Sequence, residues 1–209
     1  MPQPPTLKIV EIFPSVQGEG LRQGEPTIFV RLAGCNLRCS FCDTKYAWEG
    51  GREIAVAEIL RRIQKIRGRF PADWVCLTGG EPLLQDLRSL IRGLKKEGLK
   101  IQVETNATVF RPLAVDWLTI SPKPKNYAYH PHFRERAKEM KLIVTKGMTF
   151  EILKKLRKGF PASRPIILQP ESNARWSKTK SLRLVGRSLR SGLKNIRLSV
   201  QLHKLYDLP

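Results

Sequence analysis

The feature that most constrains this chain is the spacing Cys35-x-x-x-Cys39-x-x-Cys42. A chain of 209 residues can bury a full core without disulfide staples, so three thiols packed into eight positions read as metal ligands. Structural zinc sites close with four ligands. No fourth Cys or His lies near; the nearest histidines are His130 and His132. Three thiolates leave one iron of a 4Fe–4S cluster without a protein ligand, and an open iron can bind a small molecule, which points to catalysis. A zinc knuckle completed by a distant residue is the alternative. The remaining cysteine, Cys76, lies in the apolar run Trp74-Val75-Cys76-Leu77 and reads as a buried small hydrophobe.

Charge is the one unusual bulk property. Lys and Arg number 38 against 18 Asp and Glu, a formal net charge of +20. Such a balance suits a polyanion partner or simply a basic surface. The basic residues thicken only at Lys178 to Arg197 and are not interleaved with aromatic residues, which argues against a nucleic-acid partner. No uncharged apolar run approaches the ~18 residues of a membrane span. Met1-Pro2-Gln3-Pro4-Pro5 lacks the basic and apolar regions of a secretory signal, so the expected location is cytoplasmic.

The hydrophobic pattern alternates between periods of two and of 3.6 residues. Strands are expected at Leu7 to Phe13, Thr27 to Leu32, Asp73 to Leu77, Lys100 to Glu104, Val115 to Ile120, Lys141 to Val144, Pro165 to Leu168 and Ile196 to Leu202. Val56, Ile59, Leu60, Ile63 and Ile66 form one helical face, ended by Gly68. Leu83, Leu84, Leu87, Leu90, Ile91 and Leu94 form a second, and Phe150 to Lys158 a third helix. The succession predicts an α/β fold, a parallel sheet with crossover helices in one domain spanning residues 1–209. Polar residues recur just after strands, where parallel folds build their sites: Thr78, Glu104-Thr105-Asn106, Ser121-Pro122-Lys123 and Gln169. The turn-rich stretch Pro124 to His132 is expected to form an ordered loop over that site.

Cys35-Asn36-Leu37-Arg38-Cys39-Ser40-Phe41-Cys42 resembles the signature of radical S-adenosylmethionine (SAM) enzymes, with an aromatic residue before the third cysteine. Thr78-Gly79-Gly80-Glu81-Pro82 is similar to the glycine-rich SAM loop of that family, where glycines let the backbone approach a ligand. The likeness narrows further. Ser15-Val16-Gln17-Gly18-Glu19-Gly20, Phe29 to Gly34, Asp43-Thr44, Glu104-Thr105-Asn106, Ser121-Pro122-Lys123 and the tail Val200-Gln201-Leu202-His203-Lys204 resemble the 7-carboxy-7-deazaguanine synthases.

That resemblance implies an incomplete TIM-like (β6/α3) barrel, a homodimer, and conversion of 6-carboxy-5,6,7,8-tetrahydropterin to 7-carboxy-7-deazaguanine and ammonia. It implies a 4Fe–4S cluster on Cys35, Cys39 and Cys42, SAM, Mg²⁺ on the Thr44 hydroxyl, and a flavodoxin- or ferredoxin-like electron donor. Val16, Gln17, Gly18, Arg31, Thr78 and Pro209 would bind substrate, with Arg31 on its carboxylate. Gly80, Glu104, Asn106, Ser121, Pro122, Lys123 and Gln169 would bind or support SAM. Two rival functions are a glycyl-radical-enzyme activase, which would share the cluster and the glycine loop, and a basic nucleic-acid-binding protein with a structural metal. The Gln17-Gly18-Glu19-Gly20 run and Asp43-Thr44 speak against the first, and the polar residues after strands against the second.

Overall fold

A computed structural model describes residues 4–209; of the N-terminal segment read above for a leader, residues 1–3 lie outside them. Among the described residues nine strands form a single sheet. They are β1 (Thr6–Val16), β2 (Pro26–Leu32), β3 (Arg52–Ala55), β4 (Trp74–Gly79), β5 (Lys100–Thr105), β6 (Trp117–Ile120), β7 (Glu139–Val144), β8 (Ile166–Pro170) and β9 (Ile196–Leu198). The spatial order is β3-β1-β2-β4-β5-β6-β7-β8-β9. Every neighbouring pair from β2 to β9 is parallel, as expected. Strand β1 runs antiparallel to both β2 and β3, which adds an antiparallel end to the predicted parallel sheet.

The helices are α1 (Val56–Arg67), α2 (Arg88–Lys96), α3 (Phe133–Arg136), α4 (Phe150–Gly159) and α5 (Arg175–Arg190). Helix α1 buries Val56, Ile59 and Ile63 on one face, and α2 buries Leu90, Ile91 and Leu94. Each such side chain contributes about 2 kcal/mol of apolar burial. The leucine-rich stretch expected as one helix is divided: Pro82–Leu84 is a 3₁₀ turn, and the helix starts only at Arg88, whose N–H donates to Asp86 Oδ1 at 3.0 Å. No helix connects β5 to β6, and α3 is four residues long. The barrel is therefore thinly covered on that side.

Side-chain alternation splits the molecule into two compartments. On β2, β4 and β5, Ile28, Val30, Leu32, Val75, Leu77, Ile101 and Val103 face the helices and form the apolar core. Their neighbours Phe29, Arg31, Thr78 and Glu104 face the barrel interior and line its cavity. Cys76 is fully buried, as expected, but on the interior side, 3.9 Å from Gln17 Nε2.

The last expected strand is short. Only Ile196–Leu198 pairs, and the chain then crosses to the turn after β1, where Leu202 N donates to Gly18 O at 2.9 Å and Gln23 Nε2 to Val200 O at 2.8 Å. This crossing closes the gap between β9 and β1 without strand pairing. One expectation fails: none of the residues 124–132 lines the cavity. Tyr129 donates to Gly159 O at 2.7 Å and His130 N to Ala107 O at 2.9 Å, so the segment packs on α4 and the loop after β5 instead. Buried aromatic surface decides its path, since Tyr127 is 6% exposed.

Candidate active site

The loops that follow the parallel strands meet around one cavity of 360 Å³. The cysteine loop follows β2, and all three of its thiols line the cavity, half-buried. The glycine loop follows β4 and is bonded to the start of the cysteine loop, Gly80 N to Leu32 O at 3.0 Å and Glu81 N to Gly34 O at 2.7 Å. Neither glycine could carry a side chain. A β-carbon would lie 2.1 Å from Leu32 O at Gly79, and 2.0 Å from Gly34 O at Gly80.

Glu81 joins this pair of loops to the end of β5. Its fully buried carboxylate accepts from Leu83 N, Thr105 Oγ1 and Asn106 N at 3.0, 2.7 and 2.7 Å. Burial pushes this carboxyl up while the three donors pull it back. Asn106 Nδ2 then donates to Asn36 Oδ1 in the cysteine loop at 2.9 Å. Three motifs far apart in sequence are thus one hydrogen-bonded frame.

The floor of the cavity is charged. Lys141, 5% exposed, bonds Glu19 Oε2 and lies 2.8 Å from Glu104 Oε2. Burial works against its charge, and the two carboxylates outweigh it, so Lys141 stays cationic well above the usual lysine range. Burial likewise works against ionised Glu19, and Lys141 holds its carboxyl below the ordinary value. Gln17, 2% exposed, donates to Gln102 Oε1 and Glu104 Oε1, each at 3.0 Å, and accepts from Glu19 N at 3.1 Å. Its side-chain amide is therefore engaged in the floor, and Val16 and Gly18 line the cavity beside it.

Lys123 also lines the cavity, donating to Ser121 Oγ at 2.6 Å. Burial and neighbouring Lys141 lower its affinity for its proton. Burial raises the Cys39 thiol, and the Lys123 charge works in the other direction, toward the thiolate a metal needs.

The C-terminal segment supplies the remaining wall. Gln201 Nε2 donates to Glu19 Oε1 at 2.9 Å and to Asp43 Oδ2 at 3.1 Å, which fixes the orientation of its amide. Gln201 Oε1 is buried with no protein donor among the described residues. Lys204 Nζ lies 2.8 Å from Asp43 Oδ2. Burial would raise the Asp43 carboxyl, but Lys204 and the donors around it hold it at about 2. The Thr44 hydroxyl donates to Asp43 Oδ1 at 3.0 Å, leaving its lone pairs free.

Of the residues singled out from sequence, Val16, Gln17, Gly18, Arg31, Thr44, Thr78, Gly80, Glu104, Asn106, Ser121, Lys123, Pro209 and the three cysteines all line this cavity. Pro122 and Gln169 do not; Gln169 is fully buried in the barrel, donating to Glu19. Sequence reasoning missed Glu19, Lys141, Gln201 and His203 as wall residues. His203 packs over Gly18, where a β-carbon would meet its ring at 2.5 Å. For Lys141 the available signal was an apolar-flanked lysine in a strand, because a lysine in a buried strand requires an acid partner; Glu19, Gln201 and His203 lay inside the motif runs Ser15 to Gly20 and Val200 to Lys204.

Among the described residues no three Cys, His, Asp or Glu side chains are close enough to grip a single ion. The donor set is three thiols spread around one cavity beside a cationic Lys123, and it suits a polynuclear iron–sulfur group better than zinc. An incomplete cysteine set facing a ligand loop of bare backbone, at the carboxyl ends of parallel strands, is the arrangement of the radical SAM class. The model described as Radical SAM superfamily matches residues 29–175. The chain is 35% identical to the 7-carboxy-7-deazaguanine synthase of Aquifex aeolicus, over 97% of this chain and 94% of that one. It is 36% identical to the 7-carboxy-7-deazaguanine synthase of Hyperthermus butylicus, with the same coverage. The crystal structure of QueE from Escherichia coli superposes with a TM-score of 0.77 at 30% identity, covering 95% of each chain. The chain belongs to the 7-carboxy-7-deazaguanine synthase family of the radical SAM superfamily.

Proposed function

We propose that this protein converts 6-carboxy-5,6,7,8-tetrahydropterin to 7-carboxy-7-deazaguanine and ammonia, a step toward queuosine and other 7-deazapurines. The observation that carries this reading is the single cavity on which the three-thiol loop, the Gly79-Gly80 loop and Arg31 converge. Cys35, Cys39 and Cys42 would hold the 4Fe–4S cluster. Together with SAM, that group would supply radical hydrogen-atom chemistry, in which a hydrogen removed from the substrate would be returned to it and SAM conserved.

The remaining work falls to the chain's own residues. Gly80, Glu104, Asn106, Ser121, Pro122, Lys123 and Gln169 would bind SAM or support its contacts. Gly80 offers backbone, and Lys123 a cation for a carboxylate. Val16, Gln17, Gly18, Arg31, Thr78 and Pro209 would bind the pterin, with the Arg31 guanidinium on its carboxylate. Thr44 would place its hydroxyl on Mg²⁺, with the substrate carboxylate and waters completing the shell. Fixed charges at Glu19, Glu104 and Lys141 keep the floor polar and preorganised, so little reorganisation accompanies the chemistry. A flavodoxin- or ferredoxin-like protein is the expected reductant. We propose a homodimer of single radical SAM domains, residues 1–209, working in the cytoplasm. Among the described residues no helix is long and apolar enough to cross a membrane.

The test is an anaerobic turnover of protein reconstituted with iron and sulfide, given reductant, SAM, Mg²⁺ and 6-carboxytetrahydropterin. Mass spectrometry should find 7-carboxy-7-deazaguanine with SAM largely conserved. Release of 5′-deoxyadenosine without that product would discard the substrate and retain the radical chemistry.

A further inference from the structure

Arg31 is gripped from behind. Residues Glu11 and Arg31 face each other across the β1–β2 pairing, and Arg31 Nε donates to Glu11 Oε1 at 2.6 Å. The Tyr46 hydroxyl donates to the same oxygen at 2.9 Å. Arg31 and Tyr46 line the cavity, whereas Glu11 stands outside its wall. The rings of Phe13 and Tyr46 flank the guanidinium, 5.4 and 5.7 Å from its carbon. Among the described residues no protein acceptor takes Nη1 or Nη2, although the Arg31 side chain is only 16% exposed.

A guanidinium can offer a carboxylate either its Nε–Nη side or its Nη1–Nη2 end. With Nε taken, only the end remains. We infer that Glu11 is a positioning residue for substrate recognition. It fixes the Arg31 fork so that Nη1 and Nη2 point into the cavity to take the substrate carboxylate end-on. Tyr46 extends the device, because it belongs to the turn directly after the third cysteine and Thr44. The same Glu11 oxygen therefore ties the carboxylate fork to the loop that carries the thiols. A lysine at position 31 would lack both the second nitrogen of the planar fork and the Nε edge that Glu11 holds. This inference rests on the reading of Arg31 as the partner of the substrate carboxylate.

The experiment compares wild type with Glu11→Gln, Tyr46→Phe and Arg31→Ala. It uses steady-state kinetics with 6-carboxytetrahydropterin, and inhibition by tetrahydropterin, which lacks the carboxylate. Glu11→Gln should raise KM about tenfold with kcat within about threefold, the signature of weakened binding without altered chemistry. The inhibition constant of tetrahydropterin and the melting temperature should not move, and Tyr46→Phe should shift KM in the same direction by less. An unchanged KM in Glu11→Gln, with a raised KM in Arg31→Ala, would overturn the inference and leave the Arg31 reading standing. An unchanged KM in Arg31→Ala would remove both. An equal weakening of substrate and tetrahydropterin by Glu11→Gln would show a merely structural role and would also overturn it.

Discussion

The α-carbon of Gly80 faces the carbonyl of Gly34 so closely that a β-carbon at position 80 would lie 2.0 Å from that oxygen. The glycine loop and the cysteine loop are therefore packed backbone to backbone, with Glu81 N bonded to Gly34 O at 2.7 Å. Gly80→Ala must push the two loops apart. It should destabilise the protein by about 2 kcal/mol or more and reduce the iron retained per chain after reconstitution. Thermal melting and iron analysis check this; wild-type iron content together with a wild-type melting temperature would contradict the close packing.

Lys141 between Glu19 and Glu104 sets a pH signature. The Glu19 carboxyl is held below its ordinary value of 4.5, so its contribution is present above that pH and fades as pH falls. Lys141 is raised above its ordinary 10.5, so its contribution is present below that pH and fades only as pH climbs above it. Between about pH 5 and 10 both Glu19 and Lys141 should carry their charges. Lys141→Met leaves two part-buried carboxylates without the cation bonded to both and should cost about 3 kcal/mol at neutral pH. Acidification from pH 7 to 4 should relieve the variant while it weakens the wild type. Melting temperatures across that range give the answer, and parallel profiles would count against the pairing.

Cys39→Ala should abolish the brown cluster absorbance and all turnover, because two thiolates cannot hold the cluster. Cys76→Ala is the control. That thiol is fully buried beneath Gln17, does not line the cavity, and is raised well out of the thiolate range by burial, so its loss should cost about 1 kcal/mol and leave the cluster in place. Ultraviolet–visible spectra of the two reconstituted variants separate these outcomes. Cluster absorbance surviving in Cys39→Ala would refute the ligand assignment.

Thr44→Ala removes the one hydroxyl proposed for Mg²⁺ and leaves Asp43 bonded to Lys204 and Gln201. The Mg²⁺ concentration for half-maximal rate should rise about tenfold with the cluster spectrum unchanged. A metal titration of the initial rate measures this, and an unaltered Mg²⁺ response would move the site elsewhere.

The sequence carried the central strands and helices α1 and α4 because their buried faces are strongly apolar and periodic. It did not carry α5. That helix buries Ser177, Ser181, Leu184 and Ser188, so its inner face is small and polar and reads only as part of a basic run. Strand β3, Arg-Glu-Ile-Ala, has no strand signature of its own and exists because β1 offers an edge to pair with. The reading of residues 124–132 as a cover over the site failed because turn residues signal a loop but not where its aromatic side chains find burial.

By itself, the sequence determined which chemistry is available. Three thiols at fixed spacing, two glycines after a strand and polar residues at strand ends are local facts, and local spacing decides what a loop can ligate. Only the tertiary structure decided which residues share the cavity wall. Glu19, Lys141, Gln201 and His203 lie on three separate segments, and they meet because the closing crossover after β9 lies against the turn after β1. The Glu19 carboxylate takes one donor from Lys141 and one from Gln201, and no single segment encodes that meeting.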